Sequence, residues 1–162
     1  MKPRPRIAAL VSVYHRYAHA QHIVDRFLEG YGWNGRHHRP DMDVVSLYVD
    51  QINAAPTNPE EGKSYDLSQE RVNRFEFLHR YPTIADALTC GTESLAVDGV
   101  LIIAEHGEYK VNEKGQTLWP RYEFFKQMLS VFRVSGKSVP VFNDKHLSWN
   151  WDWAKEMYDA SI

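Results

Sequence analysis

Polar side chains that can transfer protons or bind metals follow the ends of several apolar runs in this sequence. They are Tyr14, His15 and Arg16, then Asp50, then Glu105 and His106, and finally Asp144, Lys145 and His146. Imidazole, ammonium and carboxylate groups serve as acids, bases and metal ligands, so the pattern predicts a reactive rim. The plain alternative for any one of them is that chain leaving a buried core becomes polar.

A divalent metal is one chemistry that these positions offer. The candidate ligands are His15, Glu105, His106, Asp144 and His146, which could support a lyase, isomerase or hydrolase reaction on a polar small molecule. His15, His19 and His22 also share one helix face if that helix begins as early as Tyr14. His37 and His38 are expected in a solvated turn.

The apolar runs themselves predict the elements that position this rim. Short, nearly continuous apolar or β-branched runs are typical of parallel strands buried on both faces. Such strands are expected at Ile7–Val13, Val44–Val49, Val97–Ala104 and Val139–Phe142. Helical spacing predicts helices at Ala18–Leu28, at Thr83–Leu88 with Thr83 as its cap, at Phe124–Phe132 before Gly136, and at Leu147–Tyr158 with Ser148 as its cap.

Alternating strands and helices predict the fold class. We expect one domain over residues 1–162, an open, doubly wound, mainly parallel α/β sheet of Rossmann-like type with helices on both faces. Residues 51–69 are expected to form a long polar loop, and residues 70–78 fit either a short helix or a third strand. In such sheets ligands bind at the carboxyl ends of the strands, where the polar residues fall.

Composition limits the partners of the chain. The 162 residues are 43% hydrophobic and 25% charged, which is typical of a folded globular domain. A net charge of -2 argues against nucleic acid as a partner. No run reaches the roughly 18 apolar residues of a membrane helix, and no signal peptide is evident. Because Cys90 is the only cysteine, no intrachain disulfide can form, and a cytoplasmic protein is expected. The expected partner is a small molecule.

Three segments, in order, resemble the N-terminal domain of the Gfo/Idh/MocA oxidoreductase family. They are Arg6–Val11 with Ala18-His19-Ala20, then Thr83–Leu88 with Val97–Ile103, and then Ser135–Val139 with Asp144–Ser148. The resemblance implies a Rossmann-type fold and an oxidoreductase acting on a sugar-like or polyol-like molecule with NAD(P). It also implies that Lys145 stands near substrate, assisted by His106 or His146, and that Tyr14, His15, Arg16 and Asp50 face the cofactor.

The chain departs from that family at the phosphate-binding turn and after its last helix. The family's glycine-rich turn falls at Val11–Arg16, where this chain has no glycine, although a close pyrophosphate contact requires residues without a Cβ. The family's substrate domain does not follow. The chain is therefore expected either to be a fragment of a two-domain protein or to use its rim residues for a different function. A third possibility is a binding or assembly module, in which the helix containing Trp149 and Trp153 packs on a partner, on a second copy or on the missing domain.

Overall fold

A five-stranded parallel sheet forms the centre of this computed structural model, which describes residues 3–52, 54 and 66–162. The strands of this sheet are β1 (Arg6–Val11), β4 (Asp43–Val49), β5 (His79–Tyr81), β6 (Gly99–Ile103) and β7 (Val141–Asn143). A separate hairpin is formed by β2 (Tyr31–Trp33) and β3 (Arg36–His38). The helices are α1 (His19–Leu28), α2 (Ser68–Arg74), α3 (Ile84–Thr89), α4 (Arg121–Ser135) and α5 (Trp151–Asp159).

The strand order is β5-β4-β1-β6-β7, with β1 at the centre. The apolar run predicted as the first strand pairs in parallel with β4 on one side and β6 on the other. The chain therefore builds outward from β1 to β5, then crosses back to build β6 and β7 on the opposite side. This reversal separates the loops that follow β1 and β6, and it creates a crevice at their carboxyl ends.

Side-chain alternation along β1 supplies two hydrophobic cores. Ala8 and Leu10 face a cluster that includes buried residues of α3, α4 and α5, whereas Ala9 and Val11 face a cluster built with α1. Helices therefore cover both faces of the sheet, and the predicted open, doubly wound α/β architecture is confirmed. Because both faces are buried, the strands need no polar alternation, which explains their continuous apolar runs.

Several local expectations are corrected by the structure. Helix α1 begins at His19, so His15 lies in the preceding turn and the three histidines do not share a helix face. His37 and His38 belong to β3, not to an irregular turn. Asn150, not Ser148, caps α5, because its side chain accepts from the backbone N–H of Trp153.

The two ambiguous segments are partly resolved. Residues 70–78 hold the end of α2 and the turn before β5, so neither a strand nor a helix fills the whole range. The predicted loop at residues 51–69 ends earlier, because α2 begins at Ser68, and most of the loop lies outside the described residues. Thr83 caps α3 as predicted, and Gly136 ends α4 in a left-handed conformation. No helix in the described ranges is both long and apolar enough to cross a membrane.

Candidate functional site

The candidate site lies in the crevice at the carboxyl ends of β1, β6 and β7. We call its residues the rim cluster: His19, Glu105, His106, Arg121, Asp144, Lys145 and His146. They come from the start of α1, the loop after β6, the start of α4 and the loop after β7. Loops on the two sides of the reversal supply these side chains, which is the usual position of a ligand site in an open α/β sheet.

His106 is fixed in one tautomer by the start of α1. The backbone N–H of His19 donates to Nδ1 of His106, with 3.3 Å between the two nitrogens. A backbone amide can only donate, so Nδ1 has no proton and the neutral ring carries its proton on Nε2. Burial, and to a smaller degree the neighbouring His19, lower the pKa of His106 below its ordinary value of 6.5. The site therefore holds a neutral imidazole with one N–H donor at Nε2.

His19 forms a close pair with Asp144. Its Nδ1 lies 2.7 Å from the carboxylate oxygen Oδ2 of Asp144, so the ring donates a proton to the carboxylate in this arrangement. Both side chains are largely shielded, with 27% and 14% exposure. One ligand atom from each of His19, Glu105 and Asp144 lies within 4.8 Å of the other two. The three side chains can thus converge on a single ligand.

Arg121 ties together the two loops that form the rim. Its side chain is fully buried, and Nη2 donates to Oε2 of Glu105 at 2.5 Å. Nε donates to the backbone oxygen of Asp144, and Nη1 lies 3.2 Å from Nε2 of His146. An arginine can only donate, so Nε2 of His146 accepts. Burial lowers the pKa of both Arg121 and His146.

Lys145 lies at the open side of the cluster. Its Nζ is 4.0 Å from Oε1 of Glu105, and its side chain is 46% exposed. Lys145 and His106 both adopt left-handed backbone conformations, with φ of 69° and 54°. Residues other than glycine adopt this region at a cost, and such strain is concentrated at functional sites.

Tyr14, His15 and Arg16, which were predicted to face a cofactor, are not members of the rim cluster. Tyr14 is buried, and its hydroxyl donates to Asp25, so it points into the protein. His15 is also buried, and its ring centroid lies 6.2 Å from that of His106. Arg16 is exposed, with its guanidinium 4.7 Å from the centre of the Tyr17 ring.

Asp50 lies at the carboxyl end of β4 and is held by two tyrosines. Its two carboxylate oxygens accept hydrogen bonds from Tyr48 and Tyr109, each at 2.7 Å. Burial raises the pKa of both tyrosines, so they remain donors. Asp50 therefore links the loop after β4 to the loop after β6.

Of the residues predicted to bind a metal, Glu105 and Asp144 offer ligand atoms within 4.8 Å of each other, together with His19. The other three predicted ligands are outside that group. Nδ1 of His106 accepts from the His19 backbone, His146 faces Arg121, and the ring of His15 lies beside that of His106. The sequence does not single out His19 as a ligand beyond its spacing with neighbouring histidines, and its place beside Asp144 depends on where α1 begins. Sequence reasoning missed Arg121, because it follows no apolar run and precedes the apolar face of α4. Its one sequence signal is the position just after Pro120, at the first turn of a helix.

Fold and site together define a Rossmann-like α/β protein with a histidine- and carboxylate-rich site at the carboxyl edge of its sheet. No protein-family model, curated protein or solved structure matches this chain. The function therefore has to be argued from the residues of the site.

Proposed function

We propose that this protein is an enzyme that catalyses proton transfer on a polar, carbonyl-bearing small molecule in the crevice. The observation that carries the proposal is the hydrogen bond from the His19 backbone to Nδ1 of His106. It leaves Nε2–H of a neutral ring as a donor, and such a donor stabilises the negative charge that develops on a carbonyl oxygen when a neighbouring C–H is deprotonated.

Lys145 is the group that we assign to the transferred proton, as the family resemblance also implies. Its neutral amine form takes the proton from carbon, and the resulting ammonium returns a proton to carbon or exchanges it with water. Its Nζ is 4.0 Å from Oε1 of Glu105, and its exposed stem allows it to reach a molecule in the crevice. His146 has a different role in this proposal, because its Nε2 accepts from Arg121. It positions Arg121 and does not contact the substrate.

Hydride transfer with NAD(P), the activity that the resemblance implies, requires room for a pyrophosphate above β1. Val13, Tyr14 and His15 fill that turn with buried side chains. The turn therefore does not fit the usual pyrophosphate site, where glycines let the ligand approach the backbone. We propose proton transfer without a dinucleotide, on a sugar-like or polyol-like hydroxycarbonyl compound.

The proposal is tested by hydrogen exchange into small hydroxycarbonyl compounds. Glycolaldehyde, dihydroxyacetone and D-fructose are incubated with the protein in D₂O. Proton NMR then follows the loss of the signal from the proton on the carbon next to the carbonyl. We expect the wild type to exchange this proton at least about 100-fold faster than His106→Asn, the scale of losing one oxyanion donor.

The variant and its control are chosen to separate chemistry from folding. Asparagine tolerates a left-handed backbone, and its Oδ1 can accept from the His19 amide in place of Nδ1. His22→Asn changes an exposed histidine of α1 outside the rim cluster, and its rate should equal that of the wild type. Equal rates for the wild type and His106→Asn with all three probes would overturn the proposal.

A further inference from the structure

We propose that a divalent cation binds between the side chains of His19, Glu105 and Asp144. They come from α1, the loop after β6 and the loop after β7, and one ligand atom of each lies within 4.8 Å of the others. This inference deepens the proposed function and rests on it for the catalytic consequence, since the cation would share the crevice with His106. Cation binding itself is measured without turnover.

The ligand types select the class of cation. One imidazole nitrogen with two carboxylate oxygens suits the borderline ion Zn²⁺, and the two carboxylates also suit Mn²⁺. Mg²⁺ and Ca²⁺ prefer oxygen ligands alone. Ligands about 2.1 Å from a tetrahedral Zn²⁺ are about 3.4 Å apart, so shifts of about an ångström close this cluster around an ion.

Arg121 prepares Glu105 for this role. It holds Oε2 of Glu105 and also donates to the backbone oxygen of Asp144, while its own side chain is fully buried. The other oxygen, Oε1, is then left for the cation. Fixed hydrogen bonds of this kind orient the ligands in metal sites and set their affinity.

His19 and Asp144 hold a proton where the cation would bind. The 2.7 Å separation between Nδ1 and Oδ2 places that proton on Nδ1. Coordination through Nδ1 requires the lone pair there, so Nδ1 loses its proton when the cation binds and the ring then carries its proton on Nε2. Binding therefore has a spectroscopic signature, namely a change of the His19 tautomer.

Lys145 opposes the cation, because its ammonium is 4.0 Å from Oε1 of Glu105. Removing this charge should strengthen binding. We expect Lys145→Gln to bind the cation at least about five-fold more tightly, because two like unit charges about 4 Å apart in bulk water repel by that factor and the cation carries two charges.

The affinity experiment uses the full chain without a histidine tag, stripped with EDTA and titrated with ZnCl₂ and MnCl₂ by calorimetry. We expect one site per chain, with affinity at least about ten-fold weaker in His19→Gln and Glu105→Gln. His22→Gln is the matched control on the same helix and should bind as the wild type does. Equal affinity in the wild type, His19→Gln and Glu105→Gln, or no binding, would overturn the inference.

Nitrogen-15 NMR provides a readout that does not depend on variants. His19 should show a protonated Nδ1 in EDTA and a protonated Nε2 with saturating Zn²⁺, and an unchanged tautomer would contradict the site. Repeating the exchange assay in EDTA separates the two proposals. If exchange persists in EDTA and no cation binds, the proton-transfer proposal stands and the metal site is refuted. If a cation binds tightly but no exchange occurs, the metal site stands and the proton-transfer proposal is refuted.

Discussion

The roles of the two nitrogens of His106 can be separated by substitution. Nδ1 accepts from the His19 amide, which supports the fold, while the proposed function uses Nε2. We expect His106→Asn to keep the stability of the wild type but lose activity. His106→Gln keeps a donor near the Nε2 position, so it should retain more activity than His106→Asn. It loses the acceptor at the Nδ1 position, and glutamine tolerates a φ of 54° less well than asparagine does. We therefore expect His106→Gln to lower the free energy of unfolding by about 1 kcal/mol.

Urea unfolding and the exchange assay on both variants check this prediction. If asparagine and glutamine lose activity and stability in proportion, His106 is a structural residue and its Nε2 has no separate role.

At the scale of the elements, the side chain of Arg121 connects the start of α4 to the loops after β6 and β7. Arg121 is buried and bonds both loops, so its removal leaves Glu105 without its buried partner. We expect Arg121→Met to lower the free energy of unfolding by about 3 kcal/mol. Arg121→Lys should recover only part of this loss, because lysine cannot donate in several fixed directions. Chemical denaturation measures both values.

Arg133→Met is the matched control for this prediction, since Arg133 lies on the same helix and is exposed. Its change should stay within about 0.5 kcal/mol. A similar loss for both methionine variants would show that Arg121 acts through general helix stability and not through the two loops.

The loop after β6 also depends on Gly107, which has φ of 115°. A Cβ there would lie 2.8 Å from Oε1 of Gln51 and 3.2 Å from Cγ1 of Val13. We expect Gly107→Ala to cost about 2 kcal/mol of stability and to displace His106, which a weaker exchange activity would report. Gly115→Ala, also at positive φ but with nothing within 4 Å, should cost only the backbone strain of about 1 kcal/mol. Equal costs would contradict this account.

For the whole molecule, one sheet joins the two hydrophobic cores. Leu88 belongs to the core formed with α3 and α4, and Leu28 to the core on the opposite face. We expect Leu88→Ala and Leu28→Ala each to destabilise the protein by about 3 kcal/mol, and the double variant to show their sum, because the two sites are separated by the sheet. Calorimetry should show a single unfolding transition for each protein, and separate transitions would contradict a shared fold.

Four of the five strands of the sheet, most of the helices and the edge at which the polar residues lie could be predicted from the order of the residues, whereas the short edge strand β5 was not predicted. Apolar runs such as Ile7–Val13 predicted buried parallel strands, and the polar residues after them predicted the rim. This succeeded because hydrophobic periodicity and strand ends are local properties of the chain. It located Glu105, His106, Asp144 and Lys145 without a structure.

Which of these side chains meet is a property of the tertiary structure alone. His19 and Asp144 are separated by 125 positions, and their contact depends on the strand order and on where α1 begins. The same is true of Arg121, whose partners follow two different strands. His15 was an equally good candidate by spacing, but it lies in the turn before α1, where it is buried. Local patterns do not encode such long-range contacts, because the packing of all the elements fixes them together.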